Sequence, residues 1–179
     1  MPEFTQDWFT QHIPNFDRFL SQLAGKKASA LEIGSFEGRS AMWGLENILT
    51  HPESHMTCVD LMHDDYRDRL VGNLSPFGDK VTLIGKQSEV ALSELVVSGA
   101  EFDFIYVDGL HQHYLPLHDL VLSHQMLKHG GIVAADDYLL MNDACGRVTV
   151  NRCVNAFMMC YGDHYEILHQ EFQVWLKRK

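Results

Sequence analysis

Residues 102–137 read FDFIYVDGLHQHYLPLHDLVLSHQMLKHGGIVAADD. Phe102 to Val107 is rich in aromatic and β-branched residues and ends at Asp108-Gly109, as a buried strand does. Leu117, Leu120, Val121, Met126 and Leu127 then form an apolar stripe, which predicts a helix from about Tyr114 to Leu127, stopped by Gly130-Gly131. Ile132 to Ala135 is short, apolar and again strand-like. Strand, helix and strand in this order make a parallel pair joined by a right-handed crossover.

The same alternation extends in both directions. Upstream, Ala28–Ile33, Met56–Val59 and Val81–Ile84 read as buried strands. Helices are predicted from about Gly38 to Leu49, Asp64 to Asn73 and Ser88 to Val97, the last opening on a Ser cap. Downstream, a helix from about Val148 to Tyr161 precedes Tyr165–Leu168 and Phe172–Leu176, two runs that suit a hairpin adding one antiparallel strand. Residues 1–24 carry Trp8, Phe9, Ile13, Phe16, Phe19, Leu20 and Leu23 at roughly helical spacing, which predicts one or two helices interrupted at Pro14. The expected architecture is a mostly parallel sheet covered by helices on both faces, with residues 1–24 packing on a core domain of residues 25–179.

Composition bounds the function. The 179 residues suffice for one hydrophobic core, and 24 acidic against 14 basic side chains leave a net charge of −10. That balance disfavours partners bound through their phosphates, whether nucleic acid or an anionic membrane. Lys177, Arg178 and Lys179 are the longest basic run, at a terminus expected to fray. The start lacks the pattern of a signal peptide and no apolar run is long enough to span a bilayer, so a cytoplasmic location is expected. Cys58, Cys145, Cys153 and Cys160 lack metal-site spacing and read as reduced, mostly buried thiols. Cys153 with Cys160, Trp8 with Phe9, and Met158 with Met159 all read first as packing.

In such a sheet a ligand belongs at the carboxyl ends of the strands, near the point where strand order reverses. Glu32 puts a carboxylate in a buried strand, which is costly without partners or a ligand, and Gly34 and Gly38 bracket the turn that follows. Asp60 ends the next strand, where an acidic residue commonly holds ribose hydroxyls and can equally cap a helix. Asp108 and the Asp136-Asp137 pair end two neighbouring strands, close enough to converge on one hard cation such as Mg2+. Strand-end Asp residues also cap helices. His111, three residues past Asp108, is placed to accept a proton from a hydroxyl, with His113 close by. His118, His124 and His129 fall on or after a helix and read as inert.

Leu31-Glu32-Ile33-Gly34-Ser35-Phe36-Glu37-Gly38-Arg39-Ser40, Val59-Asp60, Tyr106-Val107-Asp108-Gly109-Leu110-His111-Gln112 and Leu127–Tyr138 resemble the ordered motifs of class I S-adenosylmethionine (SAM) dependent methyltransferases. They are most similar to the small bacterial branch related to metal-dependent catechol and caffeoyl-CoA O-methyltransferases. The resemblance covers about residues 28–179 and implies a Rossmann-like three-layer α/β/α sandwich, with a mostly parallel seven-stranded sheet and a C-terminal antiparallel hairpin strand. It implies that Glu32, Gly34 and Ser40 line the methionine end of SAM, that Ser35, Phe36 and Gly38 also bind the cofactor, and that Asp60, followed by Leu61, binds its ribose. Ser88, with Gln87 and Glu89 one register away, falls where the family contacts adenine. Asp108 borders the cofactor and joins Asp136 and Asp137 in the metal triad; the family often has Asn at the position of Asp137. His111 stands where the catechol enzyme has a lysine base.

The activity implied is O-methylation of a small-molecule hydroxyl. Mg2+ or another divalent cation would chelate that hydroxyl and His111 would take its proton. Two other readings compete. A nicotinamide oxidoreductase would need G-x-G-x-x-G, and Phe36 stands in the middle glycine's place. A non-catalytic SAM-binding module would have no use for the acidic triad. The chain is short for this group, so an open site, or one completed by a second copy in a homodimer, is expected.

Overall fold

The computed structural model describes residues 1–140 and 150–179. Seven strands form one sheet: β1 (Ser29–Ile33), β2 (His55–Asp60), β3 (Val81–Gly85), β4 (Phe102–Val107), β5 (Leu127–Ala135), β6 (Tyr165–Gln170) and β7 (Val174–Arg178). Their order is β3-β2-β1-β4-β5-β7-β6. The first five pair in parallel, and β7 runs antiparallel to both β5 and β6. The described α-helices are α1 (Ile13–Leu20), α2 (Arg39–Asn47), α3 (Arg67–Leu74), α4 (Ser88–Val97), α5 (Leu115–Met126) and α6 (Val150–Tyr161). None is long and apolar enough to cross a membrane.

Period-two alternation sends strand side chains to two cores. Ile33, Ile105, Val107 and Val133 join Leu92, Leu120 and Phe157 of α4, α5 and α6 on one face. Phe104, Tyr106, Ile132 and Trp175 join Phe16, Leu45 and Leu70 of α1, α2 and α3 on the other. The result is the expected three-layer α/β/α sandwich.

Strand order reverses between β1 and β4, and there the register matters most. Ile33 pairs with Val59 and Val107, and Val107 with Ala135. The residues next in the chain, Gly34, Asp60 (the last of β2), Asp108 and Asp136, therefore emerge at one level along one edge.

Several local expectations are corrected. Pro14 does not interrupt a helix; it sits in the first turn of α1, where its missing N–H costs nothing. Residues 1–8 are not helical. Ser88 is the first residue of α4 and makes no cap hydrogen bond; Gln87 is the flanking residue. α5 ends at Met126, before Gly130-Gly131, because β5 already begins at Leu127. The C-terminus does not fray: β7 reaches Arg178, whose guanidinium donates to the carbonyls of His124 and Leu127. Cys58 and Cys153 are buried, whereas Cys160 and Met159 are exposed near the end of α6, so packing does not explain that half of each pair. Phe9 is buried but Trp8 is 63% exposed. Cys145 lies outside the described residues.

Candidate active site

The site is built on the β1 turn. Gly34 has φ +85°, and a Cβ there would overlap the Asp108 carbonyl, so only glycine lets the β1 and β4 tips touch. Behind the turn, Glu32 is buried and accepts a hydrogen bond from Ser35 Oγ at 2.7 Å. Burial raises its pKa to about 7, aided by the Asp60 charge and opposed by hydrogen bonds from Ser40 and Ser35. Asp60 binds the turn from the side: its Oδ2 accepts from the backbone N–H groups of Ser35 and Phe36, both at 2.9 Å. Its Oδ1 accepts from Met62 N–H and the Tyr66 hydroxyl, both at 2.7 Å.

Beside this turn, ligand atoms of Asp108, His111 and Asp137 lie within 4.8 Å of one another. His111 Nε2 is 3.0 Å from Asp137 Oδ2. Asp136 faces inward. Its Oδ2 accepts from Tyr106 Oη and from Gln173 Nε2 (3.0 Å), and its Oδ1 accepts from Asp137 N–H (2.7 Å). Burial, then the charges of Asp136, Asp137 and Glu32, push the Asp108 carboxyl well above the usual carboxylate range. Such a cluster gains from a cation, and two carboxylates with an imidazole suit a divalent one.

A cavity of about 600 Å³ joins the two halves. Gly34, Phe36, Asp60, Leu61, Ser88 and Asp108 line it, together with His111, Asp136 and Asp137. Ser35 and Ser40 line a smaller adjoining cavity of about 50 Å³ that shares Gly34, Phe36 and Asp108. Glu32 and Gly38 reach neither of these two. Gly38 precedes α2 with φ +79°, and a Cβ there would meet Leu70 and Leu74.

Sequence reasoning missed several wall residues. Tyr66, Gln11, His12 and Phe172 line the large cavity, as does Trp8, which was expected to pack. Trp8 instead stacks on Phe36, ring centroids 5.1 Å apart, and Phe36 in turn contacts Tyr66 at 4.9 Å. His12 is buried, stacks on Phe172 and sits 3.8 Å from Asp136. These residues come from segments without a motif. The only advance signal was an aromatic and a histidine on an apolar N-terminal stretch.

Fold and site together define a doubly wound α/β domain with its cavity at the strand switch point and an acidic cluster on one wall. A family model described as "Methyltransferase domain" matches residues 31–138, and the chain belongs to that family. It is 32% identical over 125 residues to an Arabidopsis thaliana protein named for caffeoyl-CoA O-methyltransferase activity, a match covering 68% of this chain and 52% of the other. Among solved structures, the O-methyltransferase of Bacillus cereus in complex with S-adenosylhomocysteine (SAH) aligns with TM-score 0.75 at 14% identity, over 99% of this chain and 84% of that one. MycE, from the mycinamycin biosynthetic pathway, in complex with Mg and SAH, aligns with TM-score 0.69 at 15% identity, over 97% and 51%. These structural likenesses are of fold. The chain spans about half the length of MycE and of the Arabidopsis relative.

Proposed function

We propose that this chain is a SAM-dependent methyltransferase acting on a hydroxyl of a small molecule, with a divalent cation such as Mg2+ at the acidic cluster. The observation that carries this reading is the meeting of Asp108, His111 and Asp137 on the wall of the cavity that also holds the Gly34 turn and Asp60. Asp108 and Asp137 offer hard oxygen donors, and the mutual repulsion around Asp108 fits a bound cation. When bound, SAM would supply an electrophilic methyl group and the cation would acidify the acceptor hydroxyl.

The chain's own residues divide the rest of the work. Gly34, Phe36, Leu61 and Ser88 would enclose the donor, with Ser35 and Ser40 toward its methionine end and Asp60 at its ribose. Glu32 and Gly38 would act from behind, through the turn they support. Asp136 would add its charge to the cation set, and its Oδ1, which accepts only from Asp137 N–H, keeps a lone pair that would ligate without loss of a hydrogen bond. With His111 Nε2–H donating to Asp137, Nδ1 carries the lone pair that would take the hydroxyl proton. The protein's main contribution is then positioning and charge.

The closeness of the three residues also supports a second role, His111 as a cation ligand. A His111→Gln variant separates the two: loss of a ligand weakens Mg2+ binding, whereas loss of a base leaves it intact and slows turnover.

The acidic balance supports an acceptor other than nucleic acid, and the reading places the enzyme in the cytoplasm. Should a second copy complete the acceptor side, sedimentation at micromolar concentration would show a homodimer. The test of the activity is transfer of label from methyl-labelled SAM to catechol, caffeoyl-CoA and glycoside acceptors. Labelled product is expected with Mg2+, falling on the order of 100-fold in Asp137→Ala or with EDTA. Undiminished transfer under both conditions would remove the cation from the reading.

A further inference from the structure

A carboxylate offers about four acceptor positions, and Asp60 has all four filled by this chain. Ser35 and Phe36 N–H take Oδ2; Met62 N–H and Tyr66 Oη take Oδ1. A ribose bound at Asp60 brings hydroxyl donors of its own, so at least one present partner has to leave. Three of the four are backbone groups fixed by the fold. Two belong to the Gly34 turn itself, and the third sits on Met62, whose φ of +52° commits that loop to its shape.

Tyr66 alone is a side chain that can withdraw by rotation. Its ring is half-buried, rests on Phe36 and faces His63 at 5.9 Å, and it lines the large cavity. Burial, then the hydrogen bond to Asp60, raise its pKa, so it stays a donor at any pH of interest.

We infer that Tyr66 is an internal stand-in for a ribose hydroxyl: it holds Asp60 until an adenosyl ligand arrives and displaces it. This rests on the proposed SAM site. Displacement makes the ligand compete with a bond the protein already has. Removing the Tyr66 hydroxyl therefore strengthens binding, the reverse of what deleting an ordinary contact residue does. The aromatic ring keeps its contact with Phe36 in either state.

Calorimetric titration of wild type and Tyr66→Phe with SAH tests this, since the substitution retains the ring. Tyr66→Phe is expected to bind SAH several-fold more tightly. The gain should vanish with 5′-methylthio-2′,3′-dideoxyadenosine, which has no hydroxyl to present to Asp60, while 5′-methylthioadenosine keeps it. Equal or weaker SAH binding by Tyr66→Phe, or a gain that persists with the dideoxy compound, would overturn the inference. Failure of wild type and variant alike to bind SAH would instead overturn the SAM site on which it rests, and the inference with it.

Discussion

At the scale of single residues, the site depends on Gly34, where no side chain fits, and on Glu32, a carboxylate buried behind the turn. Gly34→Ala would add a left-handed backbone penalty to an overlap with the Asp108 carbonyl, at a cost of roughly 2–5 kcal/mol. Denaturant unfolding should show that loss, together with weakened SAH binding. An unchanged midpoint would mean the tips do not touch. Glu32 makes a pH prediction. Its folded pKa of about 7 lies above its ordinary 4.5, so the folded state holds the proton more tightly. The associated stability is fully present below pH 4.5 and is lost as pH rises through 7, by about 3 kcal/mol. Glu32→Gln, which cannot ionise, should lack this decline. Parallel pH slopes for the two proteins over that window would refute it.

At the scale of elements, the N-terminal stretch before α1 is largely irregular, and side-chain hydrogen bonds hold it to the core. Thr5 donates through its N–H and hydroxyl to Glu37, at 2.6 and 2.8 Å, and Arg69 Nε reaches the same carboxylate at 2.6 Å. Asn73 pairs with the backbone of Glu3 in both directions. Burial opposes ionisation of Glu37, but the bonds from Thr5 and Arg69 outweigh it and hold its pKa below the usual value. Its stabilisation is thus present above pH 4.5 and is lost as pH falls through the lowered pKa. Glu37→Gln should cost about 1–3 kcal/mol at neutral pH and expose residues before Thr10 to proteolysis. Resistance equal to wild type would show that Glu37 does not anchor this segment.

The same element explains where the sequence was legible. Strands such as Phe102–Val107 declare themselves because burial on both faces demands apolar runs, and their glycine and aspartate ends mark the tips. Pairing in register then carries Gly34, Asp60, Asp108 and Asp136 to one edge. Trp8, His12 and Tyr66 were not legible, because their place is set by long-range hydrogen bonds and ring contacts that leave no period in the chain. The inward turn of Asp136 was hidden for a like reason: it depends on Tyr106 and on Gln173, 37 residues further along.

At the scale of the whole molecule, the net charge of −10 has a local component. Glu32, Asp60, Asp108, Asp136 and Asp137 crowd the switch-point edge; burial first, and the neighbouring carboxylate charges after it, raise the pKa values of Glu32 and Asp108. Mg2+ and SAM, whose sulfonium gives it a net positive charge, together should relieve that crowding of charge. At about 100 times the dissociation constant, binding contributes about 2.7 kcal/mol, which for a chain of this size shifts Tm by roughly 5–10 °C. A Tm unmoved by both together would leave the charge as solvated surface.

The central claim is that this cavity takes an adenosylated methyl donor, and titration calorimetry of the wild-type protein with SAH and, separately, NADH, both with Mg2+ present, tests it most directly. The account predicts saturable SAH binding at a single site in the micromolar range and no heat with NADH. Binding of NADH in place of SAH, or of neither, would contradict it.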